Sequence, residues 1–595
     1  MNAIKIFQTL KTSFFYTRFN SWYYIKFVFI LQAIILLLAL PFLALFFQVM
    51  TTSLGYDSIT DQNILEFLRN PLGLIFALLF GLFALFFIYL ELSVLILVAY
   101  YHQQQIPFTI RMILRKIMRQ SKYLLSFQFV FFLLYFVLIV PIAGMGLHSE
   151  LTDGIYIPNF IVNELLKSTS GSILYFSFIA VVIYINIRLL FSLAIFLTGD
   201  HTIFQAIKRS WVTTRWQTWR IVANFLLFSL IGAILLFITA FIFLFPTILT
   251  EQLWAPAAPV VAGISLTLSQ IFFVVAFTIT PIFIAHAVIF MFLTRENKVV
   301  AKTETRGAKR KHRKSFYVVI TLGIAALVTI NGVYLNEVTY SDNTQIIAHR
   351  GLKSTGVENS LEALHGAAKI GVDFVEMDIL ETKDHQFVVF HDTNLRRLAG
   401  INRNVADMTL AELEKVTIRQ DGFTSTIPSL ETYIDHAKKW NVNLNIEIKT
   451  HGGESKGFIA NFEKIVKDHG VESSYIYQTL DRPIVETIKK NYPAMRIGFI
   501  VPLNFGNLVN INADFIVIEE FSYSASMQEQ AHARNMDLLV WTITTPEAAR
   551  KYMLAGVDGI ITEIPAETMK VQSDLREDQA VSTKLSDAID LFTGN

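Results

Sequence analysis

Two features of the sequence predict a two-part chain: a multi-span α-helical membrane domain followed by an α/β TIM (β/α)8 barrel with a small insertion after its second strand. First, seven apolar runs of spanning length fill the front half, at about 23–49, 71–101, 123–147, 173–199, 219–248, 260–294 and 316–335. Second, strand-like runs alternate with helix-like runs from residue 344 onward, the pattern of a parallel sheet with helical crossovers. Charge divides at the same place. Residues 1–335 carry 25 Lys and Arg against 11 Asp and Glu; residues 336–595 carry 25 against 37. The expected organisation is a membrane domain over 1–335, a short linker over 336–343, a barrel over 344–570 with its insertion at about 393–428, and a polar, acidic, loosely attached tail over 571–595.

Each apolar run exceeds the roughly 20 residues needed to span a bilayer. The first is too long for a signal-peptide core and lacks a small-residue cleavage site, so it reads as an uncleaved anchor. Loops alternate in charge. Loop 102–122 holds Arg111, Arg115, Lys116, Arg119 and Lys122 with no acid, loop 200–218 holds Lys208, Arg209 and Arg215, and loop 295–315 ends GAKRKHRKS. Loops 50–70, 148–172 and 249–259 are acidic or nearly neutral. Basic loops stay in the cytoplasm, so the N-terminus is inside, and seven spans place the barrel on the extracytoplasmic face of a bacterial cell membrane. Pro281 makes the run 260–294 either one kinked helix or a helix plus a re-entrant piece. RMILRKIMRQSKY and FQAIKRSWVTTRWQTW read as basic amphipathic helices on an anionic inner leaflet. Glu91 and Arg188 fall inside spans, where a charge signals lipid or ion handling, a mutual ion pair or snorkelling to the interface. His286 reads as a hydrogen-bonded packing residue.

The chain's 595 residues exceed one domain, and 53% hydrophobic content with 51 Phe exceeds globular usage. The basic residues sit between apolar runs, which argues against a nucleic-acid partner. With no cysteine, disulfides and thiol chemistry are excluded, as suits an extracytoplasmic bacterial protein.

In the rear half, strands are expected near 346–349, 373–379, 443–449, 474–478, 496–500, 514–518, 537–541 and 559–562. Barrel active sites form at the C-terminal ends of strands, and the unusual residues collect there: His349 and Arg350, then Glu376 and Asp378, then Glu447 and Lys449, then Trp541, then Thr562 and Glu563. Glu376 and Asp378, two apart, share one strand face, as do Glu447 and Lys449. Three carboxylates converging from adjacent strands call for a cation, and an all-oxygen set favours Mg2+ or Ca2+, with Mn2+ possible, over zinc. His391-Asp392 ends the FVVF run of the insertion. The other soluble-half histidines read as structural, apart from His451, which follows Lys449 closely enough to line the site.

These motifs resemble the glycerophosphodiester phosphodiesterase family: AHRG (348–351), ENS (358–360), VEMDI (375–379), FHD (390–392), IPSLE (427–431), IEIK (446–449), WTI (541–543) and DGIITEIP (558–565). The resemblance covers about 344–567, and the front half looks like the membrane domain of some bacterial members. It implies that His349 and His391 are the acid/base pair, that Glu376, Asp378 and Glu447 bind one divalent cation, that Arg350, Lys449 and Trp541 meet the phosphate and substrate, and that Glu358 and Asp392 support them. It also implies attack on phosphorus by a substrate glycerol hydroxyl, giving a cyclic phosphate that water opens. Thr544 where Asn is common, Glu563 where Asp is common, and YQT at the end of strand four depart from the family pattern on the substrate side and bear on the leaving group. The expected function is metal-dependent hydrolysis of a glycerophosphodiester to glycerol phosphate and an alcohol. The short tether Tyr334–Tyr340 favours membrane-held substrates, such as lipoteichoic acid or lysophospholipid and phospholipid headgroups. Rival readings are a scavenger of soluble glycerophosphodiesters and a lipid-binding or transport protein with a ligand-sensing barrel. Which histidine is acid, which ion binds and the oligomeric state stay open.

Overall fold

A computed structural model of the chain describes residues 3–19, 21–123, 126, 157–199, 201–298, 314–338 and 343–593. Five helices in it are long and apolar enough to cross a membrane: Lys26–Ser53, Pro71–Gln103, Thr169–Thr198, Thr218–Leu253 and Ala255–Arg295. They coincide with five of the expected runs. The run 123–147 lies outside the described residues, and so do 339–342 of the linker. The run 316–335 forms the helix Lys314–Glu337.

Local chemistry explains their shapes. Pro41 has no N–H to continue the helical ladder, and a π turn over Ile35–Ala39 precedes it. Pro281 lies inside the single helix Ala258–Arg295, so no re-entrant piece forms there. Gly263 lets this helix approach Lys314–Glu337 closely, since a Cβ there would stand 2.8 Å from the Gly332 nitrogen; small residues serve this purpose between membrane helices. Asn331 adds 2.9 Å bonds to Thr267 and Gln270. The expected packing role of His286 is met by Tyr24 (2.9 Å) and by Gln103, whose amide donates to the His286 carbonyl at 2.8 Å. Both basic stretches contain helices, Ile110–Ser121 and Ile203–Thr214.

The rear half closes into the expected barrel. Its strands are β1 (Gln345–His349), β2 (Phe374–Glu381), β3 (Asn443–Ile448), β4 (Ile476–Thr479), β5 (Ile497–Val501), β6 (Phe515–Glu519), β7 (Asp537–Ile543) and β8 (Gly559–Thr562). Each pairs in parallel with the next, and β8 pairs with β1 to close the ring. β2 is buried along its whole length, as a strand covered on both faces must be. Ile347, Phe374, Ile476, Ile500, Phe515, Val517, Leu539 and Ile561 fill the interior. The segment between β2 and β3 adds a strand, Phe387–Val389, antiparallel to the end of β2, and the insertion that follows adds a hairpin, Thr417–Gln420 with Phe423–Thr426, over a small core that includes Leu380, Phe390, Leu398 and Ile418.

The two halves touch at defined places. The strand Ser58–Thr60 pairs antiparallel with Asn504–Gly506, just past β5. Gln62 donates to the Leu480 carbonyl, just past β4. Asn159 donates to Glu520 at 2.8 Å, just past β6. All three contacts lie at the C-terminal end of the barrel. The expectation of a loose tail is corrected. Residues Val581–Thr593 form a helix whose Leu585 and Ile589, one turn apart, pack against Ala262, Leu266 and Leu335. Glu251 accepts from the Val581 nitrogen at 2.7 Å, and Arg550 reaches Asp587 at 2.8 Å. The polar composition concealed an amphipathic pattern whose partner is remote in sequence.

Candidate active site

Strand register assembles the site. His349 stands opposite Glu376 across β1 and β2, and Asp378 stands opposite Glu447 across β2 and β3. Ligand oxygens of Glu376, Asp378 and Glu447 lie within 4.8 Å of one another. The chain then turns sharply: Arg350 and Gly351 both take positive φ, 59° and 84°. A Cβ on Gly351 would stand 2.8 Å from the Ala363 backbone, so glycine is required there. The turn aims the Arg350 amide at Glu376 (2.9 Å) and its guanidinium at Glu358 (2.9 Å).

Burial and like charge set the electrostatics. Burial, with Asp378 and Glu447 close by, pushes the Glu376 carboxyl well above the ordinary range. Burial acts on Asp378 too, but Arg350, Lys449 and a 2.8 Å bond from Asn359 outweigh it and hold that carboxylate low. Lys449 Nζ stands 3.4 Å from Asp378 and 3.6 Å from Glu447. Glu376 Oε1 is buried with no hydrogen-bond partner, and buried Asp378 Oδ1 has only the Lys449 ammonium at 3.4 Å. Such under-bonded oxygens are costly, and two of them beside a third carboxylate fit a divalent cation.

A histidine flanks the carboxylates on each side. His349 Nδ1 bonds Glu563 at 2.8 Å, and Lys353 holds the other Glu563 oxygen at 2.6 Å. Burial, reinforced by Arg350, lowers His349 to about 4. His391 Nδ1 bonds Asp392 at 2.6 Å, and Arg397 braces Asp392 (2.7 Å) and Glu358 (3.0 Å). Glu358 is fully buried; burial alone would raise it, but Arg350 and Arg397 keep it well below the usual range. Gln420 of the insertion adds a 3.0 Å bond to it.

All the expected residues come to this end of the barrel. Trp541 packs on the interior cluster at the end of β7. His451 turns instead toward Glu454, 3.4 Å away. Sequence reasoning missed three supporting roles. Glu563 orients His349, Arg397 ties the insertion to the barrel, and Asn359, at φ 61°, fixes Asp378. Asn359 stands inside the ENS motif, so a signal existed for it; Arg397 carries none.

At the mouth of a TIM barrel the chain thus sets three carboxylates that could hold a divalent cation, together with two carboxylate-bonded histidines. A family profile described as the membrane domain of glycerophosphoryl diester phosphodiesterase matches residues 10–334, and one described as the glycerophosphoryl diester phosphodiesterase family matches 349–567. The chain belongs to the glycerophosphodiester phosphodiesterase family and is a phosphoric diester hydrolase carrying a membrane domain. It is 27% identical over 230 residues to a glycerophosphodiester phosphodiesterase of Caldanaerobacter subterraneus, covering 37% of this chain and 95% of that one. It is 29% identical over 216 residues to human lysophospholipase D GDPD1, covering 33% and 67%. A solved phosphodiesterase of Oleispira antarctica, in complex with the product sn-glycerol-3-phosphate, aligns at 22% identity with a TM-score of 0.34, covering 38% of this chain and 96% of that one.

Proposed function

We propose that this enzyme hydrolyses membrane-held glycerophosphodiesters on the extracytoplasmic side of a bacterial membrane, with a divalent cation at Glu376, Asp378 and Glu447. The carrying observation is the pair of buried carboxylate oxygens without a hydrogen bond beside Glu447, together with two carboxylate-anchored histidines. A bound Mg2+ or Ca2+ supplies charge stabilisation to the phosphoryl oxygens. Lys449 and Arg350 add fixed positive charge. His349 is the base. Its Nδ1–H is committed to Glu563, and a ring lowered to about 4 is neutral at pH 7 with Nε2 unprotonated. It takes the proton of the attacking hydroxyl, leaving His391 to protonate the departing oxygen.

Two observations support the choice of substrate and side. The barrel mouth meets Ser58–Thr60, Gln62 and Asn159 of the membrane half. Burial would raise Glu164, in the same outer segment as Asn159, but its bond to Lys167, with smaller contributions from the charges of His391 and Arg350, holds it below the ordinary range. These segments belong to the non-basic loops, the ones left outside by the positive-inside rule. A human relative named for lysophospholipase D activity accords with a lipid-borne diester.

The test uses purified full-length protein with glycerophosphocholine, lysophospholipid in vesicles and lipoteichoic acid, each with EDTA and with Mg2+ or Ca2+ restored. Metal-dependent turnover of a membrane-held substrate is expected, lost in His349→Ala and His391→Ala. Turnover of glycerophosphocholine alone favours the scavenger reading, and retained activity in either histidine variant overturns the assignment.

A further inference from the structure

Arg188 ends the helix Thr169–Leu189, and its surroundings are built. Its carbonyl accepts from Ser210 at 2.8 Å, while the Phe191 amide donates to the same hydroxyl at 3.1 Å. These bonds pin Ile203–Thr214 across the helix end. The residue as a whole is 3% exposed. Its guanidinium lies 4.9 Å from the Trp211 ring centroid and 5.9 Å from that of Tyr184. One nitrogen donates to the Trp211 carbonyl; Nε has no hydrogen-bond partner. Among the described residues no carboxylate pairs with it, and the expected alternative of an ion pair with Glu91 is not formed. A buried cation without a counter-charge is costly, and it is tolerated where a ligand brings the negative charge.

The guanidinium opens onto a cavity of about 580 Å3, lined also by Trp211, Arg215, Trp216 and Trp219. Two arginines and no acid make the lining selective for an anion. Trp211, Trp216 and Trp219 are 39%, 79% and 64% exposed, the placement of indoles at the headgroup level of a bilayer. Immediately beyond them the helix Thr218–Leu253 leaves Leu226 and Leu230 bare on its surface, an apolar track for acyl chains. We propose that this cavity binds the phosphate headgroup of an anionic phospholipid, with Arg188 and Arg215 on the phosphate and the indoles bracketing the glycerol region. The site lies among the basic loops, apart from the barrel contacts, so it is a second lipid site and not part of the catalytic mouth.

Three of the chain's seven tryptophans line the cavity, which gives a direct readout. Full-length protein in phosphatidylcholine nanodiscs is titrated with brominated phosphatidylglycerol, with brominated phosphatidylcholine, and with inorganic phosphate as competitor. Saturable quenching by phosphatidylglycerol only is expected, resisting inorganic phosphate. Loss of a charge-assisted phosphate contact in Arg188→Gln weakens it about tenfold or more. Variants are compared at matched size-exclusion profile and melting temperature; if Arg188→Gln fails that criterion, the exposed Arg215→Gln carries the test. Equal quenching by both lipids, or unchanged affinity in the variant tested, overturns the proposal. Displacement of the lipid by inorganic phosphate at equal affinity also overturns it, in favour of a free-phosphate site.

Discussion

Glu563→Gln is a sharp test of how the base is held. Glu563 accepts from His349 Nδ1 at 2.8 Å on one oxygen and from Lys353 at 2.6 Å on the other. If the replacement lost only charge, weakening a charge-assisted bond worth about 1.5–3 kcal/mol would slow turnover roughly 10- to 150-fold. Lys353 makes the outcome worse. An ammonium can only donate, so it holds the glutamine carbonyl and turns the amide NH2 toward His349. Nδ1 must then accept, and the ring proton moves to Nε2, the nitrogen needed as base. A wrong-tautomer histidine in a catalytic triad loses about 10^4-fold, and a loss of that order in kcat is expected here. Adding Lys353→Met frees the amide to flip and restores activity to within about 150-fold of the parent, the charge term alone. The assay is kcat on a soluble glycerophosphodiester for the four proteins of this double-mutant cycle. Glu563→Gln within tenfold of the parent, or no recovery in the double variant, refutes the reasoning.

Three further outcomes follow from the same site. Because Glu376 is held well above the ordinary carboxyl range by burial and by Asp378 and Glu447, cation and proton compete for it and affinity rises with pH; calorimetric titrations at several pH values read the trend, and a pH-independent affinity contradicts it. Arg397→Ala takes one brace from buried Glu358, which keeps Arg350 and Gln420, and one from Asp392, which keeps His391, lowering stability by about 1.5–3 kcal/mol, read by thermal melting. Both carboxylates sit below their unfolded values, so their stabilising contribution is present above the unfolded pKa and is lost as pH falls through the folded one; the parent–variant gap in melting temperature narrows in acid. With His349 lowered to about 4, kcat/KM at saturating cation declines only as pH falls toward that value, and an acid limb near pH 6.5 that added cation does not shift contradicts its role as base.

The sequence by itself determined the elements and the inventory of the site. Spans and barrel strands were legible because apolar length and strand alternation are local properties. The eight strands lie within three residues of their expected ends, and the chemistry-bearing residues stand where each strand stops. Only the tertiary structure decided who faces whom. Glu563 looked like a departure from a family pattern, yet it meets His349 across 214 positions. Asn159 and Ser58–Thr60 read as loop, and they meet the barrel mouth. Sequence left open whether Arg188 pairs with Glu91, and only the tertiary structure set its guanidinium against Trp211 instead. Partners far apart in sequence leave no periodic trace, because what brings them together is the closure of the barrel and the docking of helices, energies shared by many residues at once.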